Sequence, residues 1–304
     1  MIVRDRPSFF QLFFILKGSV IGKIAPQLSF IAVYSAALTW LYHEYPVWFP
    51  EYTAGPFSLI GIALSIFLGF RNNVCYDRWW EGRRAWGNLI ASTRSFARQT
   101  SLLDPDGSTV SQDRREILTL AGAFSQELVA YLRNPSGPLD LSSTNNVAKG
   151  RRPRNRPEAI LRNIWSRLAE TRRQGTLSDI DVQLLDRTVQ EFGVVQATCE
   201  RIRSTPIPFA YTLLLHRTAY FFCILLPIVM VASLGWSTPF IAVAVAYTFF
   251  GLDALGDELE EPFGLLPNSL PLNALATVIQ IDLCEAIGAE ELPAAPSPIE
   301  FVLS

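Results

Sequence analysis

The chain has 304 residues, of which 49% are hydrophobic and 18% are charged, and soluble domains usually have ~25% charged residues. Its formal net charge of −2 argues against a nucleic-acid partner, because such proteins carry a basic footprint. The four cysteines show no CxxC spacing, which favours free thiols over a disulfide framework or a zinc site. We therefore expect a membrane-embedded protein with no metal and no cofactor.

The basic and acidic residues are distributed unevenly along the chain. All 26 Lys and Arg precede Gly235, whereas ten Asp or Glu and no Lys or Arg lie between Asp253 and the end. Opposite charges attract over about a Debye length. We therefore expect the basic middle of the chain and its acidic tail to meet in the folded protein.

The first membrane segments follow directly from the N-terminal sequence. Residues 1–24 are expected to form an interfacial amphipathic helix, because Arg4 and Arg6 precede an apolar run that Lys17 interrupts and no signal-peptide cleavage site follows. Residues 25–42 carry no charge and predict the first membrane span.

A second uncharged run, residues 52–70, predicts the second span of the first transmembrane pair, assigned to residues 25–99. Two stripes with i, i+4, i+8 spacing run along it, about 100° apart round the helix. One stripe is a bulky apolar ridge, and the other is a small-xxx-small pattern that lets another helix approach closely in lipid. The ridge consists of Ile62, Ile66 and Phe70, and the helix-packing stripe of Gly61, Ser65 and Gly69.

These stripes fit two arrangements. In the first, both stripes pack against other helices of the same chain. In the second, identical helices form a ring, so that each small stripe receives a neighbouring subunit while each ridge points at the shared axis. The spacing alone leaves both arrangements open.

Residues 100–203 have the composition of a soluble helical region, which we assign to the cytosol. A stretch rich in Pro, Asn, Gly and Ser contains a basic cluster at residues 151–156 and predicts an exposed, solvated loop. Binding of RNA or lipid headgroups by this cluster is the alternative. Further on, Ser178 followed by Asp181 predicts a capping box that opens a long helix ending at Arg203.

Residues 204–254 are expected to form a second transmembrane hairpin. The uncharged run 218–252 is too long for one ordinary span, and the sequence GWSTP interrupts it. We expect Thr238 to be the N-cap of the returning helix and Pro239 to be its first helical residue. Four spans result, followed by an acidic cytosolic tail at residues 255–304.

The orientation of these spans follows from their loops. The connecting loops 43–54 and 235–238 contain no Lys or Arg, whereas the flanking and middle regions are rich in them. The positive-inside rule therefore predicts a multi-pass protein of the plasma (inner) membrane with both termini in the cytoplasm.

The sequence does not support an enzyme. It has only two histidines, His43 and His216, and it shows no GxSxG, HExxH or P-loop motif. His216 and Arg217 lie in a mostly apolar helix, where we expect structural polar contacts, with a functional role as the alternative. Four spans are few to enclose a water path, so a pore would lie on the axis of an oligomer.

Several motifs resemble those of one known family. The sequence GFRNNVCYDRWW at Gly69–Trp80 is similar to the second-helix signature of the bestrophins, and its closest likeness is to the bacterial branch. KGSV at Lys17–Val20, PIPFAYTLLLHRT at Pro206–Thr218 and EEPFG at Glu260–Gly264 follow in the matching order. The resemblance covers nearly the whole chain.

This resemblance implies an all-α membrane protein with four transmembrane helices and a helical cytosolic region, assembled as a homopentamer around a central pore. It implies passive conduction of small monovalent ions, by family default chloride and other anions. The hydrophobic neck of the pore would be Ile62, Ile66 and Phe70, and a cytosolic constriction would lie at Ile180. Membrane lipid and the permeant ions would be its other partners.

Calcium activation is not expected. In animal bestrophins a run of acidic residues follows the PFG element and forms a calcium clasp, but here Gly264 is followed by LLPNSLPLN. Calcium prefers six to eight oxygen ligands, and the clasp carboxylates are missing. Glu258, Glu260 and Glu261 upstream are interpreted as a solvated acidic face, with weak binding of a cation as the alternative.

The sign of the permeant ion stays open at the level of sequence. Asn73 and Asp77 return to the ridge side of the helix as pore-lining polar residues, and a ring of Asp77 would favour cations. Arg84, and the positive N-terminal end of the helix that opens at Ser178, would favour anions. A sodium- or potassium-conducting channel is therefore one alternative, and a non-conducting membrane scaffold or sensor is another.

Overall fold

The computed structural model describes residues 1–4, 8–10, 15, 18–49, 53–104, 109–134 and 153–303. These residues are mostly helical, and the only β pairings among them are isolated bridges such as Ile2 with Val302. The helices are α1 (Ile21–Glu44), α2 (Ala54–Gln99), α3 (Gln112–Arg133), α4 (Arg156–Arg173), α5 (Asp179–Ser204), α6 (Phe209–Leu234), α7 (Thr238–Glu260) and α8 (Leu272–Ala286).

The chain forms two compact units. The apolar unit comprises Arg4–Trp79 and Pro206–Pro262, and the polar unit comprises Met1–Val3, Trp80–Thr205 and Phe263–Ser304. Because α2 runs from Ala54 to Gln99, its first half belongs to the apolar unit and its second half to the polar unit.

The apolar unit is built from α1, α6, α7 and the first half of α2. Helix α1 packs against α6 and α7, which also pack against each other. Aromatic stacking contributes to this core, since the rings of Phe57 and Phe222 lie 4.3 Å apart and nearly parallel. Aliphatic side chains fill the space around them, among them Ile24, Ile31, Leu64, Leu68 and Leu226.

Three segments are long and apolar enough to cross a membrane: Ile21–Glu44, Gly55–Leu103 and Phe209–Glu260. Within the third, a 3₁₀ turn at Gly235–Ser237 separates α6 from α7. Gly235 has a φ of +50°, a backbone conformation that glycine adopts without steric cost.

The predicted interruption of the last uncharged run is therefore present, but its predicted cap is wrong by one residue. The N-cap of α7 is Ser237 rather than Thr238, so Pro239 is the second helical residue. The 3₁₀ turn that precedes α7 already brings Thr238 into helical geometry. Proline is tolerated there because the first turn of a helix has no internal partner for its N–H groups.

The polar unit is built from amphipathic helices. Helix α3 packs against α4 and α8, and α4 packs against α5. The core includes the rings of Phe96 and Phe124, which lie 5.6 Å and 5.7 Å from the ring of Phe192. Arg94 lies 2.8 Å from Asp282, which confirms within this unit that the basic middle of the chain meets the acidic tail.

The predicted capping box is confirmed. The backbone N–H of Asp181 donates to the hydroxyl of Ser178 at 3.2 Å, and the N–H of Ser178 donates to the Asp181 carboxylate at 3.0 Å. Two donors that would otherwise lack a partner are satisfied, and α5 starts at Asp179. The pKa of the Asp181 carboxyl is lowered because the hydroxyl and the N–H of Ser178 both donate to it.

Two other sequence predictions fall partly outside the described residues. The proposed interfacial helix over residues 1–24 includes residues 5–7, 11–14 and 16–17, which are not described, and α1 already begins at Ile21. Residues 151 and 152 of the basic cluster are likewise not described.

The interpretation of the basic cluster as a solvated loop is wrong for Arg156. This residue begins α4, its side chain is only 5% exposed, and its Nε lies 2.9 Å from the Glu127 carboxylate of α3. A guanidinium is buried only when it is paired, and the carboxylate that pairs with Arg156 lies on a helix that the local sequence does not reveal.

Candidate functional site

The apolar ridge of α2 is uncovered in the single chain. Ile62, Ile66 and Phe70 are 58%, 51% and 59% exposed, whereas Leu64 and Leu68 of the same helix are 3% and 0% exposed. One face of α2 therefore packs inside the apolar unit while a bulky apolar face is left open. Contiguous exposed apolar surface of this kind marks a contact with lipid or with another protein surface.

The small-residue stripe has different surroundings along its length. A Cβ atom at Gly61 would lie 2.9 Å from the ring of Phe222 of α6, so this glycine allows close packing within the chain. Ser65 is exposed, and its hydroxyl donates to the carbonyl oxygen of Gly61 at 2.8 Å. A Cβ at Gly69 would meet nothing within 4 Å. Only the C-terminal end of the stripe, at Ser65 and Gly69, is therefore free to receive a second helix.

The predicted polar continuation of the ridge is exposed as well. Asn73 and Asp77 are both exposed, and Asp77 forms no ion pair or hydrogen bond with any residue that the structure describes. Ile180, predicted at the cytosolic constriction, lies in the first turn of α5 and is 77% exposed. Each of these side chains is thus available to line a water-filled path.

A buried cation lies on the packed side of α2. Arg71 is 0% exposed, and its Nη1 lies 2.8 Å from the Asp253 carboxylate. Its Nη2 contacts the carboxylate of Asp257 and lies 3.4 Å from that of Glu260. The three acids are spaced i, i+4, i+7 on α7, so they share one helix face. That face clamps the guanidinium of α2 inside the apolar unit.

The carboxylate of Asp253 also binds a histidine. The Nδ1 of His216 lies 2.7 Å from Oδ2 of Asp253, so Asp253 joins α6 and α2 to α7. A Cβ at Gly256 would lie 2.7 Å from Oδ1 of Asn72 and 3.1 Å from Nη1 of Arg71. The absence of a side chain at Gly256 is therefore what lets α7 approach the arginine.

These contacts correct one sequence interpretation and show what it missed. Glu258 is 4% exposed and lies 2.7 Å from the Lys23 ammonium, and Glu260 accepts a hydrogen bond from the N–H of Ile207 at 3.2 Å. The solvated acidic face is therefore wrong for these two residues. The i, i+4, i+7 spacing of the acids at the end of an apolar span was the signal that could have indicated a buried clamp. The polar structural contact expected for His216 is confirmed. The contact expected for Arg217 is wrong, because this exposed side chain forms no ion pair or hydrogen bond with any described residue.

Comparison with known proteins places this architecture in a family. The model of the family described as Bacterial/Fungal Bestrophin protein matches residues 1–285. The chain belongs to the bacterial and fungal bestrophins. The resemblance carried by the Gly69–Trp80 signature is confirmed.

Two relatives match this bestrophin over nearly their whole length. The voltage-dependent anion channel-forming protein mll4386 of Mesorhizobium japonicum is 43% identical over 99% of this chain and 96% of the relative. The voltage-dependent anion channel-forming protein YneE of Escherichia coli K12 is 41% identical over 98% of both chains.

Solved structures share the fold. A bacterial bestrophin homologue from Klebsiella pneumoniae is 35% identical, with a TM-score of 0.76, over 88% of this chain and 100% of that one. A second structure, described as a membrane protein, is 36% identical with a TM-score of 0.79 over 88% of this chain and 99% of that one. The helical, membrane-type fold predicted from the sequence is confirmed at this level.

Proposed function

We propose that this chain is the subunit of a homopentameric channel in the plasma membrane that passively conducts small monovalent ions, chloride and other anions by default. The observation that carries the proposal is the exposed ridge of Ile62, Ile66 and Phe70 on a membrane-type helix whose opposite face is packed. In the proposed assembly four spans cross the membrane: α1, the first half of α2, α6 and α7. Both termini face the cytoplasm.

The ridge is suited to restrict ion flow. Five copies of each ridge residue around an axis would form three apolar rings, and an ion entering them would lose water without gaining replacement oxygens. Transfer of an unpaired charge into apolar surroundings is costly, and hydrophobic constrictions gate by dewetting. Ile62, Ile66 and Phe70 would therefore form the neck, with Ile180 as a second constriction at the cytosolic exit.

The sign of the permeant ion rests on two observations that oppose each other. The relatives from Mesorhizobium and Escherichia are named anion channel-forming proteins, which favours anions. The exposed and unpaired carboxylate of Asp77, repeated in a pentamer and joined by Asn73, would favour cations. A cation-conducting channel is therefore the second candidate.

The neck is tested by truncation in purified protein in liposomes. Ile62→Ala, Ile66→Ala and Phe70→Ala should each widen and wet the pore, so that flux rises while the reversal potential changes little. Leu68→Ala is the matched control, because Leu68 is buried in the same helix and its truncation should cost about 2–5 kcal/mol of stability without raising flux. Lower flux and a dissociated oligomer in the ridge variants would contradict the proposal.

Measurements on the same liposomes identify the permeant ion and distinguish a channel from a non-conducting protein. Opposing sodium and chloride gradients give a reversal potential whose sign identifies the permeant ion. Asp77→Asn should shift that potential towards the value expected for an anion-selective channel. Zero flux from intact, correctly assembled protein would favour a non-conducting scaffold instead.

The subunit contact is tested at the free end of the small stripe. Gly69→Leu adds a bulky side chain where the single chain has open space, so it should disrupt the pentamer and leave the subunit folded. Gly61→Leu should instead unfold the subunit locally, because the new side chain would collide with Phe222. Native mass measurement separates the two, and an unchanged pentamer in Gly69→Leu would place the contact elsewhere.

A further inference from the structure

An apolar groove of about 340 Å³ opens on the surface of the apolar unit. Helices α1, α6 and α7 line it, and α2, which carries the proposed neck, contributes no lining residue. Phe30 and Ile224 are 57% and 36% exposed, so the groove is accessible from outside the chain. Its apolar lining consists mainly of Pro26, Phe30, Ile31, Ile224 and Phe250.

One end of the groove is polar. The amide of Gln27 and the hydroxyl of Tyr220 lie 3.2 Å apart and form a hydrogen bond that joins α1 to α6 across the groove. Apart from these two groups, the wall presents hydrocarbon and aromatic carbon. Such a wall is suited to an acyl chain rather than to a polar solute.

A cation without a partner lies beside this end. Arg217 is exposed and forms no ion pair or hydrogen bond with any residue in the described part of the chain. It precedes Tyr220 and Ile224 by three and seven residues on α6, so all three residues share one helix face. The groove and the guanidinium are therefore presented in the same direction.

The charges on the neighbouring helices give the depth of this end in the membrane. Arg217 is separated from the Gly235 turn by about 27 Å of helix, close to the ~30 Å thickness of the hydrocarbon core. On α1, Lys23 precedes Gln27 by one turn, and its partner Glu258 follows Phe250 by two turns on α7. Each of the three lining helices thus carries a charged residue at the same end of the groove, at the level of lipid headgroups.

We propose that this groove binds a phospholipid of the inner leaflet, with the phosphate at Arg217 and one acyl chain along Phe30, Ile31, Ile224 and Phe250. The complementarity of a free cation and an anionic phosphate selects this occupant, and the apolar wall accepts its chain. The site rests on the membrane placement proposed above but not on ion conduction, because none of its residues lies on the pore helix.

The test uses the full-length pentamer in vesicles of phosphatidylethanolamine and phosphatidylglycerol, with a trace of phosphatidylglycerol that carries a photoreactive diazirine in its acyl chain. Light should attach this lipid to the peptides that contain Phe30 and Ile224. Ile224→Trp should fill the groove and reduce that labelling to background. Phe221→Trp is the matched control, since Phe221 is 63% exposed on the same helix and does not line the groove, and it should leave the labelling unchanged.

Arg217→Gln gives a test that does not disturb the fold, because the side chain is exposed. It should weaken retention of phosphatidylglycerol in native mass spectra about fivefold, whereas Arg173→Gln, an exposed arginine of the polar unit, should not. Equal labelling in the two Trp variants would overturn the proposal, as would unchanged retention in Arg217→Gln.

Two further results separate this site from its alternatives. A cross-linker attached at Phe30→Cys should capture lipid, and capture of a neighbouring subunit would mean that the groove is a subunit contact, which rejects the proposal. Ion flux is measured on the same vesicles. If the lipid does not label the groove but ion flux is normal, the lipid site is rejected and the channel proposal stands. If labelling is normal but there is no flux, the channel proposal is rejected and the lipid site stands.

Discussion

The apolar unit and the polar unit are both made of long helices around apolar cores, but they differ in what lies beside those cores and on the surface. In the polar unit the largest fully buried side chains are aromatic and aliphatic, including Trp86, Phe96 and Phe124. In the apolar unit Arg71 is among them, while residues such as Phe221 and Phe240 remain exposed. In a hydrocarbon surrounding, exposed apolar atoms carry no cost, and a charge is stabilised only by a partner inside the protein.

The two units also differ in how the N-termini of their helices are capped. In the polar unit the N-caps of α3, α4 and α5 are Ser111, Asn155 and Ser178, whose side chains accept a hydrogen bond from the first turn. The exception there is α8, whose N-cap is Pro271. The N-caps of α1, α6 and α7 in the apolar unit make no such side-chain bond. A side-chain cap stabilises the start of a helix in water, because it gives one of the free N–H groups of the first turn a partner inside the protein.

The largest expected effect comes from the charge buried in the apolar unit. Arg71→Met should lower the free energy of unfolding by about 3–5 kcal/mol, because it leaves the buried Asp253 carboxylate without its main partner. The double variant Arg71→Met, Asp253→Leu should recover much of this loss, since it removes both charges. Thermal unfolding of the purified protein measures both, with the exposed Arg98→Met of the same helix as the control. If the double variant were no more stable than the single one, the loss could not be ascribed to the stranded carboxylate.

The second-largest change in stability is expected from a comparison of two phenylalanines, one in each unit. Phe192 is buried between two other rings in the polar unit, so Phe192→Ala should cost about 3–5 kcal/mol. Phe70 is 59% exposed, so Phe70→Ala should cost the subunit little and should appear in ion flux instead. Melting temperature and flux are measured for both variants. Similar destabilisation in the two would show that Phe70 is ordinary core in the assembled protein.

Two glycines of α7 sharpen the comparison within the apolar unit. Gly256→Ala should destabilise by about 1–3 kcal/mol, because the new Cβ would lie 2.7 Å from the amide oxygen of Asn72. Gly251→Ala should be neutral or stabilising by up to about 1 kcal/mol, since its nearest neighbour, Ile24, would be 3.9 Å away. Unfolding of both variants is measured side by side, and opposite signs are the expected outcome.

Local patterns predicted the features that depend on neighbouring residues in the chain. The capping box at Ser178 and the interruption at Gly235 were both predicted from a few adjacent residues, and both are present. The partner of Arg71 was not predicted, because Asp253 is 182 residues away and the end of α7 has the composition of a solvated acidic segment. The packing of Gly61 against Phe222 was left open for the same reason, since helical spacing gives a direction and not a partner.

The smallest expected effect tests the difference between the helix N-termini. Ser178→Ala should cost about 1 kcal/mol and speed hydrogen exchange in the first turn of α5, because the N–H of Asp181 loses its acceptor. Ser237→Ala at the start of α7 should change neither quantity, since that N-cap makes no side-chain hydrogen bond. The cap should also weaken in acid: the lowered pKa of Asp181 means that its contribution is present above the usual carboxyl pKa of about 3.9 and is lost as the pH falls through the lowered value. Exchange rates of the α5 amides at neutral and acidic pH measure both parts, and a cap that survives full protonation of Asp181 would show that the Ser178 hydroxyl acts alone.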